Sequence, residues 1–268
     1  MEAFKLTLNN RTVLDDIILN KRQEVQTMSR SSINEFKRCI ESMSPPRDFR
    51  GAISGNDKAA IIAEIKKASP SLGAIRPGAD VSEIAGMYER GGAAAVSVLT
   101  DAKFFGGSME DLMEVRKSVD LPILRKDFII DEKQIYEARA NGADAVLLIV
   151  AALDDKQLVD FHQITDGLGL SALVETHSAD EIDRALKTNP KIVGINNRCL
   201  KTLKVDISTS ENLRHLIPDG VCVVSESGIS KPSDSLRLRR SGINAFLIGT
   251  SLIKSVNPEQ TLKEFTEC

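Results

Sequence analysis

The chain has 268 residues, of which 42% are hydrophobic and 27% are charged, and its formal net charge at pH 7 is -3. This length favours one or two domains, and the apolar content is sufficient for a buried core, which excludes a largely disordered chain. The 35 basic and 38 acidic residues are mixed along the sequence without a basic stripe, which argues against nucleic acid as a partner.

The first residues, MEAFKLTLNN, lack the apolar stretch of a secretory signal peptide. The longest apolar run, residues 145–153, is far shorter than the roughly 20 residues of a membrane-spanning helix. We therefore expect a cytoplasmic protein with no membrane partner. The four cysteines and three histidines show no metal-ligand spacing, so no metal site is predicted, and the histidines are expected at the surface.

Residues 12–44 are predicted to form two helices. Thr12 with Asp15 and Ser32 with Glu35 have the spacing of capping boxes, in which side-chain oxygens accept hydrogen bonds from free N–H groups of the first turn. Pro45 and Pro46 then end the second helix, because proline cannot continue the hydrogen-bonded ladder.

From residue 59 onward, short and nearly continuous apolar runs alternate with charged segments of helical periodicity. Such runs are typical of parallel strands buried on both faces. The predicted strands are residues 59–65, 93–99, 121–124, 145–150, 170–174, 192–195, 221–224 and 245–248.

Two α/β architectures accommodate eight such strands, a closed barrel and an open doubly wound sheet. The doubly wound fold would place a glycine-rich nucleotide fingerprint after a strand. The G-x-G-x-x-A segment at residues 167–172 precedes a strand instead, so we interpret it as a turn. The sequence thus favours a (β/α)8 TIM barrel forming a single domain over residues 1–268, with an N-terminal helical extension over 1–48 and the barrel over 59–268.

Polar residues follow most of the predicted strands. In a barrel of this kind the active site is built at the carboxyl ends of the strands. Each such residue could be an ordinary polar strand end, but together they would place lysines, carboxylates and an arginine at one rim. They are Glu64, Lys66, Ser97, Lys126, Asp127, Glu175, Asn196, Arg198, Glu226, Ser227, Gly249 and Thr250.

Two loops have the composition of a phosphate site or of plain turns. Residues 226–229 follow the seventh strand and residues 249–251 follow the eighth, the two loops that frequently bind phosphate in such barrels. Lys66 and Lys126 directly follow apolar residues. Desolvation lowers a lysine pKa and a nearby carboxylate restores the charge, so these lysines could act as acids, form a Schiff base or make salt bridges.

Several segments resemble the indole-3-glycerol phosphate synthase family over almost the entire chain. The matching segments are E-I-K-K-A-S-P-S at 64–71, S-V-L-T-D at 97–101, F-F-G-G-S at 104–108, L-R-K-D-F at 124–128, G-I-N-N-R at 194–198, S-E-S-G-I at 225–229 and F-L-I-G at 246–249. The first and fourth of these, in this order, are highly specific.

The resemblance implies an enzyme of tryptophan biosynthesis that needs no cofactor. Its substrate would be 1-(2-carboxyphenylamino)-1-deoxyribulose 5-phosphate, which is closed to an indole with loss of carbon dioxide and water. By the same resemblance Lys126 would be the general acid, Glu175 the general base, and Lys66 would assist proton transfer or place the substrate.

The remaining site residues are implied in the same way. Glu64, Asn196 and Ser227 would hold hydroxyls and the anilino group, and Arg198 and Ser69 would face the substrate carboxylate. Gly228, Gly249 and Thr250 would bind the phosphate. The slot for the aromatic ring would be lined by Pro70, Phe105, Phe128, Leu147, Ile149 and Leu247.

The departures from the family pattern are few. Leu72, Cys199 and Thr250 replace residues that are usual in the family, and any aromatic cover from the N-terminus would have to come from a residue such as Phe4. The alternatives are another phosphate-binding barrel enzyme, either a phosphoribosylanthranilate isomerase or a Schiff-base aldolase, and a non-catalytic barrel subunit. We expect a monomer, with a weak homodimer as the alternative.

Overall fold

The computed structural model describes residues 11–29, 32–54, 58–69, 73–74, 80–200 and 202–267, except for the side chains of residues 69 and 74. Within these ranges eight parallel strands form a closed barrel. They are β1 (Ala60–Ile65), β2 (Ala95–Leu99), β3 (Ile123–Lys126), β4 (Ala145–Ile149), β5 (Ser171–Thr176), β6 (Ile192–Asn196), β7 (Cys222–Glu226) and β8 (Ala245–Ile248).

The closure of the barrel is made by β1, which pairs with both β2 and β8. Glu64 aligns with Ser97 on one side, and Ala63 aligns with Ile248 on the other. The predicted (β/α)8 TIM barrel is therefore confirmed, and the open doubly wound sheet is wrong. The segment at 167–172 contains the predicted turn at residues 168 and 169, between the end of α8 and the start of β5, and Gly169 has a φ of 73°.

Helices follow the strands and cover the outside of the barrel. The helices within the described ranges are α1 (Val13–Thr27), α2 (Ser32–Glu41), α3 (Phe49–Ile53), α4 (Val81–Arg90), α5 (Ala102–Phe105), α6 (Met109–Ser118), α7 (Glu132–Ala140), α8 (Asp155–Gly167), α9 (Ala179–Leu186), α10 (Ser208–Arg214), α11 (Pro232–Arg240), α12 (Thr250–Ile253) and α13 (Pro258–Thr266). A 3-10 turn spans Val150–Ala152, and Ala68–Ser69 pairs with Gly73–Ala74 in a short antiparallel hairpin.

The N-terminal helices agree with the prediction in part. The Thr12–Asp15 capping box at the start of α1 is present. The predicted Ser32 cap is not at the cap position, because Ser32 is the first residue of α2 and the position before it lies outside the described ranges. The short helix α3 was not predicted. Its Phe49 and Ile53 are fully buried and close the amino-terminal end of the barrel.

The strand β3 begins and ends two residues later than predicted. The apolar run ends at Leu124, but the strand continues because the buried Arg125 is fully paired. Its guanidinium lies 2.8 Å from Glu137 and 3.1 Å from Asp127. Ion pairing thus allows a charged residue to extend a buried strand.

Both faces of the barrel strands are buried, as the continuous apolar runs predicted. Ile62, Leu124 and Leu173 belong to the cluster inside the barrel, while Ile61 and Val174 belong to the layer between the barrel and the helices. No described helix is both long enough and apolar enough to cross a membrane.

Candidate active site

A cavity of about 710 Å³ opens at the carboxyl ends of the strands. The predicted site residues that line it are Glu64, Lys66, Phe105, Lys126, Phe128, Leu147, Ile149, Glu175, Asn196, Arg198, Ser227, Gly228, Leu247, Gly249 and Thr250. Pro70, Leu72 and Phe4 lie outside the described ranges, as does the side chain of Ser69. The structure thus places these predicted residues in one cavity. Their catalytic and binding roles remain predictions.

The alternation of side chains along each strand explains this convergence. In β1, β3 and β5 the inward-facing residues Ile62, Leu124 and Leu173 lie inside the barrel. Two residues further along each strand are Glu64, Lys126 and Glu175. Because side chains two apart share a face, these polar groups point into the same mouth.

Lys126 lies at the centre of a buried charged cluster. Its Nζ is 2.9 Å from Glu226 Oε2 and 3.3 Å from Glu175 Oε2. Both carboxylates are almost completely buried, with exposed fractions of 1% and 2%. Removing these charges from water is costly unless they are paired, so the cluster is held together by mutual attraction.

The environment shifts the ionisation of all three groups. Burial disfavours the charged form of Lys126, but Glu226, Glu175 and Glu64 outweigh it and hold the pKa of this lysine above its ordinary value. Burial would raise the pKa of Glu175, but Lys126, His177 and Asn196 together outweigh it and hold that pKa well below its usual range. Burial, with repulsion from Glu175, raises the pKa of Glu226 to about 7 despite the attraction of Lys126. The cluster therefore carries one ionised carboxylate beside an ammonium, and a second carboxyl that titrates near neutral pH.

A second lysine faces the same cavity from the end of β1. Lys66 Nζ lies 2.5 Å from Glu64 Oε1. The buried Glu64 fits only because residue 249 is glycine: a Cβ there would lie 2.3 Å from Glu64 Oε1. Because glycine has no side chain, the loop after β8 can pack directly against the Glu64 carboxylate on β1.

The loop after β6 contributes an amide and a guanidinium. The Asn196 side chain faces the Glu175 carboxylate and helps to lower its pKa, and Asn196 Oδ1 accepts a hydrogen bond from the backbone N of Arg198 at 3.0 Å. Arg198 Nη1 donates to the carbonyl of Leu203 at 3.3 Å, and Arg198 forms an antiparallel bridge with Val205. These bonds shape the loop so that the guanidinium lines the cavity.

The loops after β7 and β8 meet on one side of the cavity, where Gly228, Gly249 and Thr250 line it. Ser227 has a φ of 65°, a left-handed conformation that is unfavourable for a serine. Strained backbone of this kind concentrates at ligand sites, where surrounding structure holds it in place.

Apolar side chains line the remaining walls. The rings of Phe105 and Phe128 are tilted against each other with centroids 6.1 Å apart. The cavity is also lined by Val13, Leu14 and Ile17 of α1. An aliphatic surface of the N-terminal extension therefore covers the site.

Buried ion pairs fix α1 in this place. Lys21, which is 2% exposed, lies 2.9 Å from Asp127 Oδ1 and 3.0 Å from Asp101 Oδ2. Asp127 directly follows Lys126 in the chain. The helix that covers the cavity is thus tied to the strand end that carries the central lysine.

The expectation that all three histidines lie at the surface is wrong for two of them. His162, on α8, is 5% exposed, and His177 lies between two carboxylates directly after β5. His215 is exposed as predicted. Apolar periodicity says nothing about a histidine whose burial is stabilised by charged neighbours. Among the described residues no group of three or more potential ligands is arranged to hold a metal ion.

Several cavity residues were not predicted as site residues. Glu226 was predicted only to be a polar residue at a strand end. It lies two residues after Val224, which points into the barrel, and this spacing could have predicted that Glu226 also points into the cavity. The lining residues of α1 and of the loop after β6 had no such signal, because tertiary packing alone brings them to the mouth. The loop residues are Leu200, Leu203 and Val205.

The family model and the curated relatives point to the same family. The family model described as indole-3-glycerol phosphate synthase matches residues 14–265. Among curated proteins, the indole-3-glycerol phosphate synthase of Arthrobacter sp. (strain FB24) is 46% identical over 260 residues, covering 95% of this chain and 96% of the relative. That of Chloroherpeton thalassium is 47% identical over 248 residues, covering 91% and 95%.

Solved structures support the fold alone. A thiamine phosphate pyrophosphorylase from Pyrococcus furiosus superposes with a TM-score of 0.61 at 14% identity, covering 82% of this chain and 96% of that chain. The shared barrel at so low an identity carries no information on activity. The family model and the curated relatives, each spanning nearly the whole sequence, lead to one conclusion: this chain belongs to the indole-3-glycerol phosphate synthase family.

Proposed function

We propose that this chain is a carboxy-lyase of tryptophan biosynthesis that converts 1-(2-carboxyphenylamino)-1-deoxyribulose 5-phosphate into indole-3-glycerol phosphate, carbon dioxide and water. The observation that carries the proposal is the shared cavity of Lys66, Lys126 and Glu175. Membership of the family supports the choice of substrate.

Ring closure requires a strongly polarised ketone, because the attacking ring carbon is a weak nucleophile. We assign this task to Lys126. As the carbon–carbon bond forms, the electron pair of the C=O bond moves to oxygen, and Lys126 Nζ donates a proton to give a hydroxyl. An alkoxide is far more basic than an amine, so an ammonium stabilised by Glu226 and Glu175 can still protonate it.

Decarboxylation follows from the same bond formation. The attacking ring carbon now bears both the new bond and the carboxylate, and the ring has lost its aromaticity. When carbon dioxide leaves, the electrons of the broken carbon–carbon bond restore the aromatic ring. Apolar walls such as Phe128 and Leu147 line the same cavity and suit the neutral carbon dioxide that is released.

Dehydration needs an acid and a base. Glu175 is ionised at neutral pH and is assigned the base that removes a proton from the methylene carbon beside the nitrogen. Lys66 is assigned the acid that donates a proton as the hydroxyl leaves as water. Both groups line the cavity, so neither step requires the intermediate to leave it.

The rest of the cavity suits the substrate. Arg198 is assigned to the substrate carboxylate, where a guanidinium can donate two hydrogen bonds. Gly228, Gly249 and Thr250 are assigned to the phosphate, because backbone without bulky side chains can approach an anion closely. Glu64, Asn196 and Ser227 are assigned to hydroxyls and the anilino nitrogen, and Phe105, Ile149 and Leu247 to the aromatic ring.

The two rival enzyme classes fit the cavity less well. A Schiff-base aldolase needs a neutral lysine, whereas the paired carboxylates keep the pKa of Lys126 above its ordinary value. The isomerase would be expected to use a cysteine–aspartate pair with the cysteine at the end of the first strand, but β1 ends at Ile65 and is followed by Lys66. A non-catalytic subunit would have no need to keep this buried charged cluster.

The direct test supplies the purified chain with the carboxyphenylamino-deoxyribulose phosphate and follows indole fluorescence. Product formation in the presence of a metal chelator and without any added cofactor is the expected result. Absence of product under these conditions would refute the proposal. Treatment with borohydride and substrate should leave the mass of the protein unchanged, since an added mass on Lys126 or Lys66 would indicate the aldolase.

We further propose a cytoplasmic monomer with a weak homodimer as the alternative. Light scattering across a range of protein concentrations distinguishes a constant mass near 29.2 kDa from a mass that rises with concentration.

A further inference from the structure

A largely buried histidine that the proposed reaction does not use lies directly after β5. His177 lies two residues after Glu175, and its side chain is 10% exposed. Its Nε2 is 3.3 Å from Glu175 Oε1, and its Nδ1 is 3.0 Å from Glu181 Oε2 at the start of α9. The imidazole therefore lies between two carboxylates, one of which lines the cavity.

The orientation of this imidazole is fixed from the α9 side. The same Glu181 Oε2 accepts a hydrogen bond from the His177 backbone N at 2.8 Å, so the carboxylate holds both the main chain and the ring. The Nε2 contact with Glu175 is a charge contact without a well-aligned hydrogen bond. Burial opposes a charge on the ring, but Glu175 and Glu181 outweigh it and raise the pKa of His177 to about 10. The histidine is thus a cation at neutral pH.

Each oxygen of the Glu175 carboxylate faces a different cation. Oε2 faces Lys126 on β3, and Oε1 faces His177. The other groups facing this carboxylate are the Asn196 amide on β6 and the Glu226 carboxyl on β7. When Lys126 donates a hydrogen bond or a proton to a substrate oxygen, its electrostatic attraction for the Glu175 carboxylate becomes weaker. The contact of that carboxylate with the His177 cation is then unchanged.

We propose that His177 is a positioning residue that holds the Glu175 carboxylate in place and ionised while Lys126 is engaged with the substrate. This inference rests on the proposed role of Glu175 as general base. Because His177 does not line the cavity, its effect should appear in turnover rather than in substrate binding.

The test compares two variants at this position with a matched control. His177→Leu removes the cation, and His177→Gln keeps an N–H donor near the former Nε2 without the charge. The control is His162→Leu: His162 is also buried and also lies near a carboxylate, Asp166 at 3.7 Å, but it is on α8 away from the cavity. All three should be folded by circular dichroism before kinetics are compared.

We expect His177→Leu to lower kcat about tenfold or more with little change in KM, since a misplaced general base loses part of its 10²–10⁴-fold contribution. The acid limb of the kcat profile should move to higher pH, because a carboxylate that loses a neighbouring cation has a higher pKa. At alkaline pH, His177→Gln should have a kcat close to that of the wild type. The acid limb of its kcat profile should still lie at higher pH than in the wild type. His162→Leu should behave as the wild type in both respects.

Glu175→Gln separates this inference from the proposed function. In that background His177→Leu should cause no further loss, because the group it positions is already neutral. Wild-type turnover in Glu175→Gln would remove the base assignment and this inference with it. A large loss in Glu175→Gln together with an unchanged kcat and pH profile in His177→Leu, or with a further loss in the double variant, would overturn only the positioning role.

Discussion

Replacing Lys21 with methionine tests how the N-terminal helix is fixed over the cavity. The substitution keeps the length and apolar stem of the side chain and removes only the ammonium. Asp101 and Asp127, both nearly inaccessible, then lose a partner at 3.0 Å and 2.9 Å. Removing one partner of a buried ion pair typically costs about 3–5 kcal/mol, because a buried charge is left uncompensated.

The remaining contacts place the expected loss near the lower end of that range. Asp127 keeps Arg125 at 3.1 Å and the Thr100 hydroxyl at 2.7 Å. Asp101 keeps only the hydrogen bond that its Oδ1 accepts from the backbone N of Phe104, among the contacts of the described residues. We therefore expect Lys21→Met to lower the free energy of unfolding by about 3 kcal/mol.

The pH dependence of this loss follows from the sign of the pKa shift. Burial opposes the charge of Lys21, but Asp127, Glu24 and Asp101 outweigh it and hold its pKa above the ordinary value. A raised lysine pKa gives stability that is fully present below the unfolded pKa of about 10.4 and is lost only above it. The difference between wild type and variant should therefore be constant between about pH 6 and pH 9.

Urea unfolding followed by circular dichroism measures the loss, and steady-state kinetics should show a raised KM because the aliphatic cover of α1 is no longer fixed. Lys156→Met is the control, since Lys156 pairs with Asp160 at the surface and its removal should leave the unfolding midpoint unchanged. A loss below about 1 kcal/mol for Lys21→Met, the size typical of exposed pairs, would refute the interpretation that the buried ion pairs of Lys21 fix α1 over the cavity.

Three further substitutions probe the cavity. Lys126→Ala should lower kcat by about 10²–10⁴-fold while the circular dichroism spectrum stays that of the wild type, and near-normal turnover would remove this lysine from its assigned role. Glu226→Gln should gain urea stability relative to the wild type as the pH rises from 5 to 8. The raised carboxyl pKa makes the wild type lose stability over this interval, and a difference independent of pH would contradict the shifted ionisation. Gly249→Ala should reduce kcat/KM, because the new Cβ would meet the Glu64 carboxylate at 2.3 Å. Normal kinetics in that variant would show that Glu64 can move without consequence.

The prediction that residues 1–268 form a single domain can be tested by the same unfolding experiment. A barrel with its helical extension that forms one domain should lose circular dichroism and activity in a single transition. Two separated transitions would indicate that the extension and the barrel unfold independently.

The barrel and most of the cavity could be predicted from the order of the amino acids. Continuous apolar runs separated by helical segments predicted strands buried on both faces, and the polar residues after them predicted the rim. These inferences succeed because side-chain alternation and the common direction of parallel strands are local properties. Lys66, Lys126 and Glu175 therefore reach one cavity although they are far apart in the chain.

Which charges pair with each other, and which side chains cover the cavity, depend on contacts between elements that are distant in the chain. The contact of Lys126 with Glu226, the position of His177 between two carboxylates and the ion pair of Lys21 with Asp127 all join residues from different elements. No periodicity marks such pairs, because a buried charge is stabilised by whichever opposite charge the fold brings within about 4 Å, and that distance is set only when the barrel closes.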